Sequence, residues 1–380
     1  MPKRIHYVDW LRVLAVLLLF PYHTLRVFNA GDPFYVKAAV TSVPISFFLA
    51  FMDRWHMPLL FLLAGASSFL AIRKRTGGEY LGERMKRLLV PFGLGLLFII
   101  TPQTWIGGIF NSGYTGSFAH YIASGDFFVW NIKNGGDFYG GFGIGHLWFI
   151  LWLFAVSLLA LPALLWSRTD KGAARFGSWA RRLAKPVWWL LPPIVIFLGD
   201  ALPDAVGKNP FYYLAFFLLG AVVISDEAFA DSAARWWAPA LAAGVVLTAA
   251  YVATGDARNA LPDPSAPLAL VNYLGFLGSW LVIVGILGAG KRWLDHTSPA
   301  LAYLAEGSYP VYILHQTVIV LLAFVIVTIP MAWPAQAALL FGASVAVTFT
   351  LYEGARRVGP LRLALGMKPR PGTTPVESGS

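Results

Sequence analysis

The sequence contains no cysteine among its 380 residues. Disulfide bonds, thiolate catalysis and cysteine-ligated metal sites are therefore excluded for this chain. Charged residues are also scarce, at 13% of the chain, whereas soluble domains carry about 25%. Acidic residues are fewer than basic ones, with 19 Asp and Glu against 29 Lys and Arg. This composition excludes an ordinary soluble domain.

Long apolar runs take the place of charge, with 57% hydrophobic residues and a mean hydropathy of +0.63. A membrane-spanning helix needs about 20 such residues. The sequence therefore predicts an all-α, polytopic transmembrane helix bundle. Its spans, about ten, lie near 10–28, 44–72, 88–107, 146–166, 187–199, 211–224, 236–253, 270–288, 308–329 and 333–352.

The distribution of the positive charge predicts the orientation. Most Lys and Arg residues fall in cytoplasmic connections if both termini are cytoplasmic, which satisfies the positive-inside rule. A net charge of +10 is thereby explained without a nucleic-acid partner. Residues 108–145 are then an extracytoplasmic loop over the bundle, and whether it contains a re-entrant helix stays open.

Two ionisable residues interrupt the first apolar run. Arg12 and His23 are eleven positions apart, so on a regular helix they share one face about 16 Å apart. Ionisable groups inside a span are costly and usually serve protons, ions or substrates. One alternative is that Arg12 extends to the headgroups. Another is that His23 only bonds a neighbouring backbone.

The second run carries Asp53, Arg54 and His56. Asp53 and His56 are three residues apart and are expected to share a helix face. The carboxylate would then fix the imidazole tautomer, while Arg54 would neutralise it or hold an anionic substrate group. The alternative is that the span begins later and these residues lie at the outer interface.

Two further polar groups occur in later spans. Ser308, Tyr312 and His315 form a polar stripe at helical spacing, which serves either a site or interhelical packing. His146 and Trp148 open the fourth span, where they are either site residues or boundary residues of the aromatic belt. The histidines lack a close metal-ligand spacing, so no metal site is expected.

These residues stand in motifs that resemble the acyltransferase 3 family of membrane O-acyltransferases, and within it the branch that transfers succinyl groups to glucans. Arg12 is followed by ten residues and then His23. One departure is Ala64, where many members have serine. The other motifs follow in the family's order and are residues 56–65, 83–92, 146–150 and 309–315.

The resemblance implies transfer of an acyl group from cytoplasmic acyl-CoA, or a related thioester, to a hydroxyl of an envelope or periplasmic carbohydrate. It implies a multi-pass protein of the bacterial inner membrane, with no permanently bound cofactor. We expect His23 to act as general base and Arg12 to stabilise anionic donor groups or oxyanion charge.

Further residues are expected to bind the substrates. The candidates for substrate binding are Asp53, Arg54, His56, Trp148, Tyr312 and His315. Those for the donor phosphates are Arg84, Lys86 and Arg87, which a charge cluster that sets membrane topology explains equally well.

Two other functions remain open from sequence. In a proton-coupled transporter or exporter, Arg12, His23, Asp53 and His56 would form a proton relay. The other function is that of a structural subunit in a protein assembly that builds an envelope polysaccharide. We expect residues 1–367 to form a single integral-membrane domain without an additional periplasmic domain, and 368–380 to be a disordered cytoplasmic tail.

Overall fold

A computed structural model describes residues 5–127, 136–204 and 207–368, and over these ranges regular structure is helical apart from isolated bridges. The all-α prediction is confirmed. In chain order the α-helices are α1 His6–Leu17, α2 Leu19–Arg26, α3 Val43–Asp53, α4 His56–Ile72, α5 Gly77–Arg84, α6 Val90–Gly95, α7 Thr101–Ser112, α8 Phe118–Ala123, α9 Trp148–Leu159, α10 Leu161–Trp166, α11 Asp170–Leu183, α12 Pro192–Asp200, α13 Pro210–Val223, α14 Glu227–Ala253, α15 Gly255–Asn259, α16 Ala266–Trp293, α17 Pro299–Ile326, α18 Trp333–Ala355 and α19 Gly359–Ala364.

Short π and 3-10 segments occur between some of these helices. The π segments are Met85–Leu89 and Leu96–Ile100. They lie inside one long helical stretch, Gly77–Ser112. The 3-10 turns are Asp137–Tyr139, Gly145–Leu147 and Pro186–Leu190.

Within the described ranges, seven helical stretches are long and apolar enough to cross a membrane, or eight if one pair bent by 100° is a single broken span. The other apolar helices, Gly145–Leu159 and Pro210–Val223, are shorter than the roughly 20 residues that a straight span requires. Every predicted apolar window coincides with one of these helices. The chain is a multi-pass membrane protein, while the total of ten spans and the side of each terminus remain predictions.

Prolines explain where the first two spans are interrupted. A proline lacks the N–H that would bond the carbonyl four residues earlier, and its ring clashes with that carbonyl. Pro21 therefore leaves the carbonyl of Leu17, where α1 ends, without its helical hydrogen bond. Pro58 does the same to the carbonyl of Arg54, which lies in the gap between α3 and α4.

These interruptions affect two arguments drawn from regular helices. The helix breaks at Leu18, so a uniform turn of about 100° per residue does not run unbroken from Arg12 to His23. It also breaks at Arg54 and Trp55, so Asp53 ends one helix and His56 begins the next, and their pairing stays a prediction.

The chain forms two compact units, each assembled from three separate stretches. The first comprises Met1–Ala15, Phe47–Arg84 and Trp152–Ala302. The second comprises Val16–Ser46, Met85–Leu151 and Tyr303–Ser380. The single domain predicted for 1–367 stays a prediction, and the predicted tail, 368–380, lies outside the described residues apart from Lys368.

In the first unit, α4 and α13 pack with their backbones in contact. A Cβ atom on Gly65 would lie 1.8 Å from the carbonyl oxygen of Phe217, and one on Gly220 would lie 1.9 Å from that of Leu62. Small residues permit such close approach between membrane helices, where dispersion forces replace the hydrophobic effect. The two glycines therefore set the distance between these helices.

Gly220→Ala is expected to destabilise the protein by roughly 1–3 kcal/mol, because the added methyl group must push α4 and α13 apart. Thermal unfolding of the purified protein, followed by tryptophan fluorescence, measures the effect. Gly342→Ala in α18 is the matched control. No atom lies within 4 Å of a Cβ placed there, and removing a helix-interior glycine is expected to be neutral or stabilising. An unchanged or raised unfolding temperature for Gly220→Ala would contradict the close packing.

Candidate active site

The second unit brings three histidines together. His315, on α17, lies with its ring centroid 5.1 Å from that of His23 on α2. The ring centroid of His315 is also 5.2 Å from that of His146, which lies in the 3-10 turn before α9. The sequence separations are large, so only the tertiary fold makes this cluster.

Backbone carbonyls fix the tautomers of two of these imidazoles. A carbonyl oxygen only accepts, so the nitrogen facing it carries the proton. His315 Nδ1–H donates to the carbonyl of Tyr312 at 2.6 Å, and His146 Nε2–H donates to that of Ile313 at 2.9 Å. In the neutral state, the basic nitrogens are therefore Nε2 of His315 and Nδ1 of His146.

His23 differs from the other two in exposure. Its ring is half-buried, stacks on Phe34 with a centroid distance of 6.2 Å and meets the edge of Tyr22 at 5.0 Å. His315 and His146 are only 1% and 6% exposed. Of the three, His23 is thus the imidazole that a substrate can reach. Phe34 gave no signal in the sequence, since aromatic residues are common in this chain.

A buried polar network in the second unit supports the turn that carries His146. The Tyr35 hydroxyl donates to Asp137 Oδ2 at 2.6 Å and accepts from Gln103 Nε2 at 3.1 Å. Gln103 Oε1 in turn accepts from Thr317 on α17 at 3.2 Å. The Asp137 carboxylate also accepts from the backbone amide of Gly145, next to His146.

Burial acts in the same direction on the two acids in this network. It raises the pKa of Asp137, while hydrogen bonds from Tyr35 and from backbone amides act against the rise. It also holds the pKa of Tyr35 well above its ordinary value, and the neighbouring Asp137 adds to this effect. Tyr35 therefore remains a neutral donor. Gly145 has φ +46°, and a Cβ there would meet Gln103 Nε2 at 2.5 Å, so this position requires glycine.

Arg12 lies in the first unit and is tied to neighbouring side chains. Its Nη1 pairs with Asp9 Oδ1 at 3.0 Å, and its Nη2 donates to Ser67 Oγ at 2.6 Å. Ser67 Oγ in turn donates a hydrogen bond to the carbonyl oxygen of Leu63 at 2.8 Å. Asp9 was missed in the sequence although its i,i+3 spacing to Arg12 was a usable signal. The guanidinium is therefore oriented by fixed partners.

The residues around the second helix break have the following contacts. His56 begins α4, is 2% exposed and donates from Nε2 to the carbonyl of Ala15 at 2.7 Å. Asp53 ends α3 and is exposed. The Arg54 guanidinium lies 4.5 Å from the centroid of the Tyr251 ring.

The remaining predicted site residues are placed as follows. Tyr312 is buried, and its hydroxyl donates to the backbone carbonyl of His146, so it supports the histidine turn. Trp148 contacts the ring of Phe149, with centroids 6.4 Å apart.

The three basic residues predicted for the donor phosphates fall in both units. Arg84, in the first, donates to Ser68 Oγ at 2.5 Å and lies 5.1 Å from the centroid of the Tyr80 ring. Lys86 and Arg87, in the second, are exposed on the π segment after α5.

The arrangement in the second unit suits proton transfer. An imidazole that is accessible to a substrate can accept and return a proton, and His23 is the half-buried one of the three. Across the part of the chain that the structure describes, no group of three or more His, Asp or Glu side chains is arranged to hold a metal ion.

Comparison with known proteins gives relatives along most of the chain. The glucans biosynthesis protein C of Salmonella heidelberg (strain SL476) is 21% identical over 336 residues, which are 82% of this chain and 81% of that protein. That of Escherichia coli (strain SMS-3-5 / SECEC) is 22% identical over 340 residues, with the same coverage. No solved structure matches the chain.

The model of an acyltransferase domain matches residues 5–353. That range contains all three histidines of the cluster and Arg12. It supports an acyl-transferring enzyme over the transporter and the structural subunit. The chain belongs to the acyltransferase 3 family and is a membrane acyltransferase.

Proposed function

We propose that this enzyme transfers an acyl group from cytoplasmic acyl-CoA, or a related thioester, to a hydroxyl of an envelope carbohydrate, with His23 as general base. The observation that carries this proposal is the histidine cluster, in which one half-exposed imidazole adjoins two buried, backbone-anchored ones.

In the proposed step, a nitrogen of His23 takes the proton of the acceptor hydroxyl. The hydroxyl oxygen then forms a bond to the thioester carbonyl carbon, the carbon–sulfur bond breaks, and the CoA thiolate leaves. The imidazolium returns the proton to the thiolate, so protons and charge balance. A base with a pKa near neutrality suits both transfers.

His315 supports His23 in this proposal. Its Nδ1–H is held by the carbonyl of Tyr312, so Nε2 is the nitrogen with a lone pair in the neutral ring. A basic nitrogen in a ring 5.1 Å from His23 stabilises the imidazolium that forms there. His315 is accordingly a positioning residue, and His146 fixes the other side of its ring.

Arg12 is proposed to bind the acyl donor. A guanidinium recognises phosphate and carboxylate oxygens through paired N–H donors, and Asp9 and Ser67 hold that of Arg12 in place. Because the guanidinium is already oriented, less side-chain conformational entropy is lost when the donor binds.

The names of the relatives support the kind of acceptor that we propose. Their names assign them to glucan biosynthesis, which supports a glucan or similar carbohydrate as acceptor. A bacterial inner membrane, with both termini cytoplasmic, would allow the chain to meet the donor on one side and the acceptor on the other.

His23→Ala is expected to lower acyl transfer about a hundredfold or more, because a positioned general base contributes at least that much. Mass spectrometry of envelope glycans, from cells with the wild-type protein, the variant or no protein, measures it. His296→Ala, at an exposed histidine of the first unit, is the matched control and should retain activity. Equal acyl content in all strains would contradict the enzyme's role in glycan modification.

His315→Asn separates a structural role from a proton-holding one. The asparagine amide reproduces the donor that faces the Tyr312 carbonyl but has no basic nitrogen. We expect an unfolding temperature close to that of the wild type, turnover lowered about tenfold or more, and a shifted pH profile of turnover. Wild-type turnover with an unchanged pH profile would show that His315 is structural only.

Arg12→Lys is expected to raise the KM for acyl-CoA about tenfold, because an ammonium group cannot reproduce the paired donors of a guanidinium. Steady-state kinetics of the purified enzyme with varied donor measures it. Arg235→Lys, at an exposed arginine of α14, makes the same exchange elsewhere and should leave the KM unchanged. An unaltered donor KM in Arg12→Lys would remove Arg12 from donor binding.

A further inference from the structure

A second cationic cluster lies in the first unit, around the ring of Tyr251 near the end of α14. Arg54 approaches this ring from the break between α3 and α4, with its guanidinium carbon 4.5 Å from the Tyr251 centroid and 5.3 Å from that of Phe276. Arg258, on α15, lies 4.1 Å from the same Tyr251 centroid. Two guanidinium groups therefore share one aromatic ring.

Part of the hydrogen-bonding capacity of Arg54 is not used within the described part of the protein. Its Nε and Nη2 atoms are buried and have no acceptor among the residues that the structure describes. An aromatic face attracts the charge of a guanidinium but does not accept its in-plane N–H groups in the way that an oxyanion does. Buried donors in a membrane-spanning segment are costly when unmatched, so their presence points to an external acceptor.

The charge of the cluster is also not neutralised by a direct ion pair within the described residues. Within the described ranges neither Arg54 nor Arg258 forms an ion pair, although an electrostatic interaction links Arg54 with the exposed Asp200. Arg258 Nη1 donates to the backbone carbonyl of Tyr251 at 3.1 Å, which anchors the side chain without neutralising it. Two like charges beside one ring repel each other, and an anion between them would relieve that repulsion.

Tyr251 gives the cluster a fixed geometry. Its hydroxyl donates to Asn272 Oδ1 on α16 at 3.2 Å, so the ring is held at both its backbone and its hydroxyl end. A cluster of this kind is organised before a ligand arrives, which lowers the entropic cost of binding.

We infer that Arg54, Tyr251 and Arg258 form a phosphate-binding site in the first unit. Two guanidinium groups match the charge of a phosphate group, about −2 for a monoester, and provide paired N–H donors for its oxygens. The phosphate belongs either to a membrane lipid or to a soluble phosphate compound. Binding at this site does not depend on the acyl-transfer proposal.

The test measures binding directly, without an acyl donor. The purified full chain is placed in nanodiscs of zwitterionic lipid, and its unfolding temperature is followed by tryptophan fluorescence while inorganic phosphate is titrated against chloride at constant ionic strength. A second arm uses nanodiscs that contain phosphatidic acid, whose phosphate is a monoester, and no added phosphate. A ligand that binds only the folded state raises the unfolding temperature. We expect a rise in the first arm for a soluble phosphate and in the second for a lipid phosphate.

Variants assign the effect to the cluster. Arg258→Gln and Arg54→Gln are each expected to weaken the apparent phosphate affinity about tenfold. Arg292→Gln is the matched control, because Arg292 lies 5.6 Å from the centroid of a single ring, Trp293, in the same unit. If Arg54→Gln does not fold, Arg258→Gln decides the result, since its side chain is half-exposed on a short helix.

Three outcomes would overturn the site: no stabilisation in either arm, stabilisation that persists undiminished in Arg258→Gln, or equal stabilisation by acetate at the same ionic strength. Acyl transfer is measured separately on the same variants. In the wild type, acyl transfer without stabilisation by phosphate overturns the site alone, and stabilisation without acyl transfer overturns the acyl-transfer proposal alone.

Discussion

Backbone carbonyl oxygens determine the protonation pattern of the buried histidines in this protein. His315, His146 and His56 each donate one ring N–H to a carbonyl, those of Tyr312, Ile313 and Ala15 respectively. Water is scarce inside a membrane domain, so a polar group must find its partner within the protein. A carbonyl accepts but never donates. The contact therefore fixes which nitrogen keeps the proton in the neutral ring and which carries the lone pair.

Prolines place polar residues at positions where a regular helix would not. Pro58 interrupts the second candidate span beside Arg54, and Pro21 interrupts the first before His23. Proline inside a span is not sufficient for a break, since α17 continues through Pro310. Packing around each helix decides whether the lost hydrogen bond opens a gap.

The sequence predicts the helices well and the site only in part. The membrane requires a long apolar stretch at every crossing, so hydropathy located each apolar helix. The motifs likewise identified Arg12 and His23. The contacts of His315 with both other histidines depend on residues far apart in the chain, and no local pattern encodes them. The Asp53–His56 pairing stays a prediction, and the helix break between them removes only the argument from regular helical spacing.

The two intramembrane arginines of the first unit show how differently one charge can be accommodated. Arg12 has a carboxylate and a hydroxyl as partners, so much of its charge is balanced inside the protein, and an incoming anion must compete with Asp9. Arg54 instead faces the rings of Tyr251 and Phe276. Aromatic rings offset the desolvation of a cation only partly. Arg54 therefore retains more of its attraction for an external anion than Arg12 does.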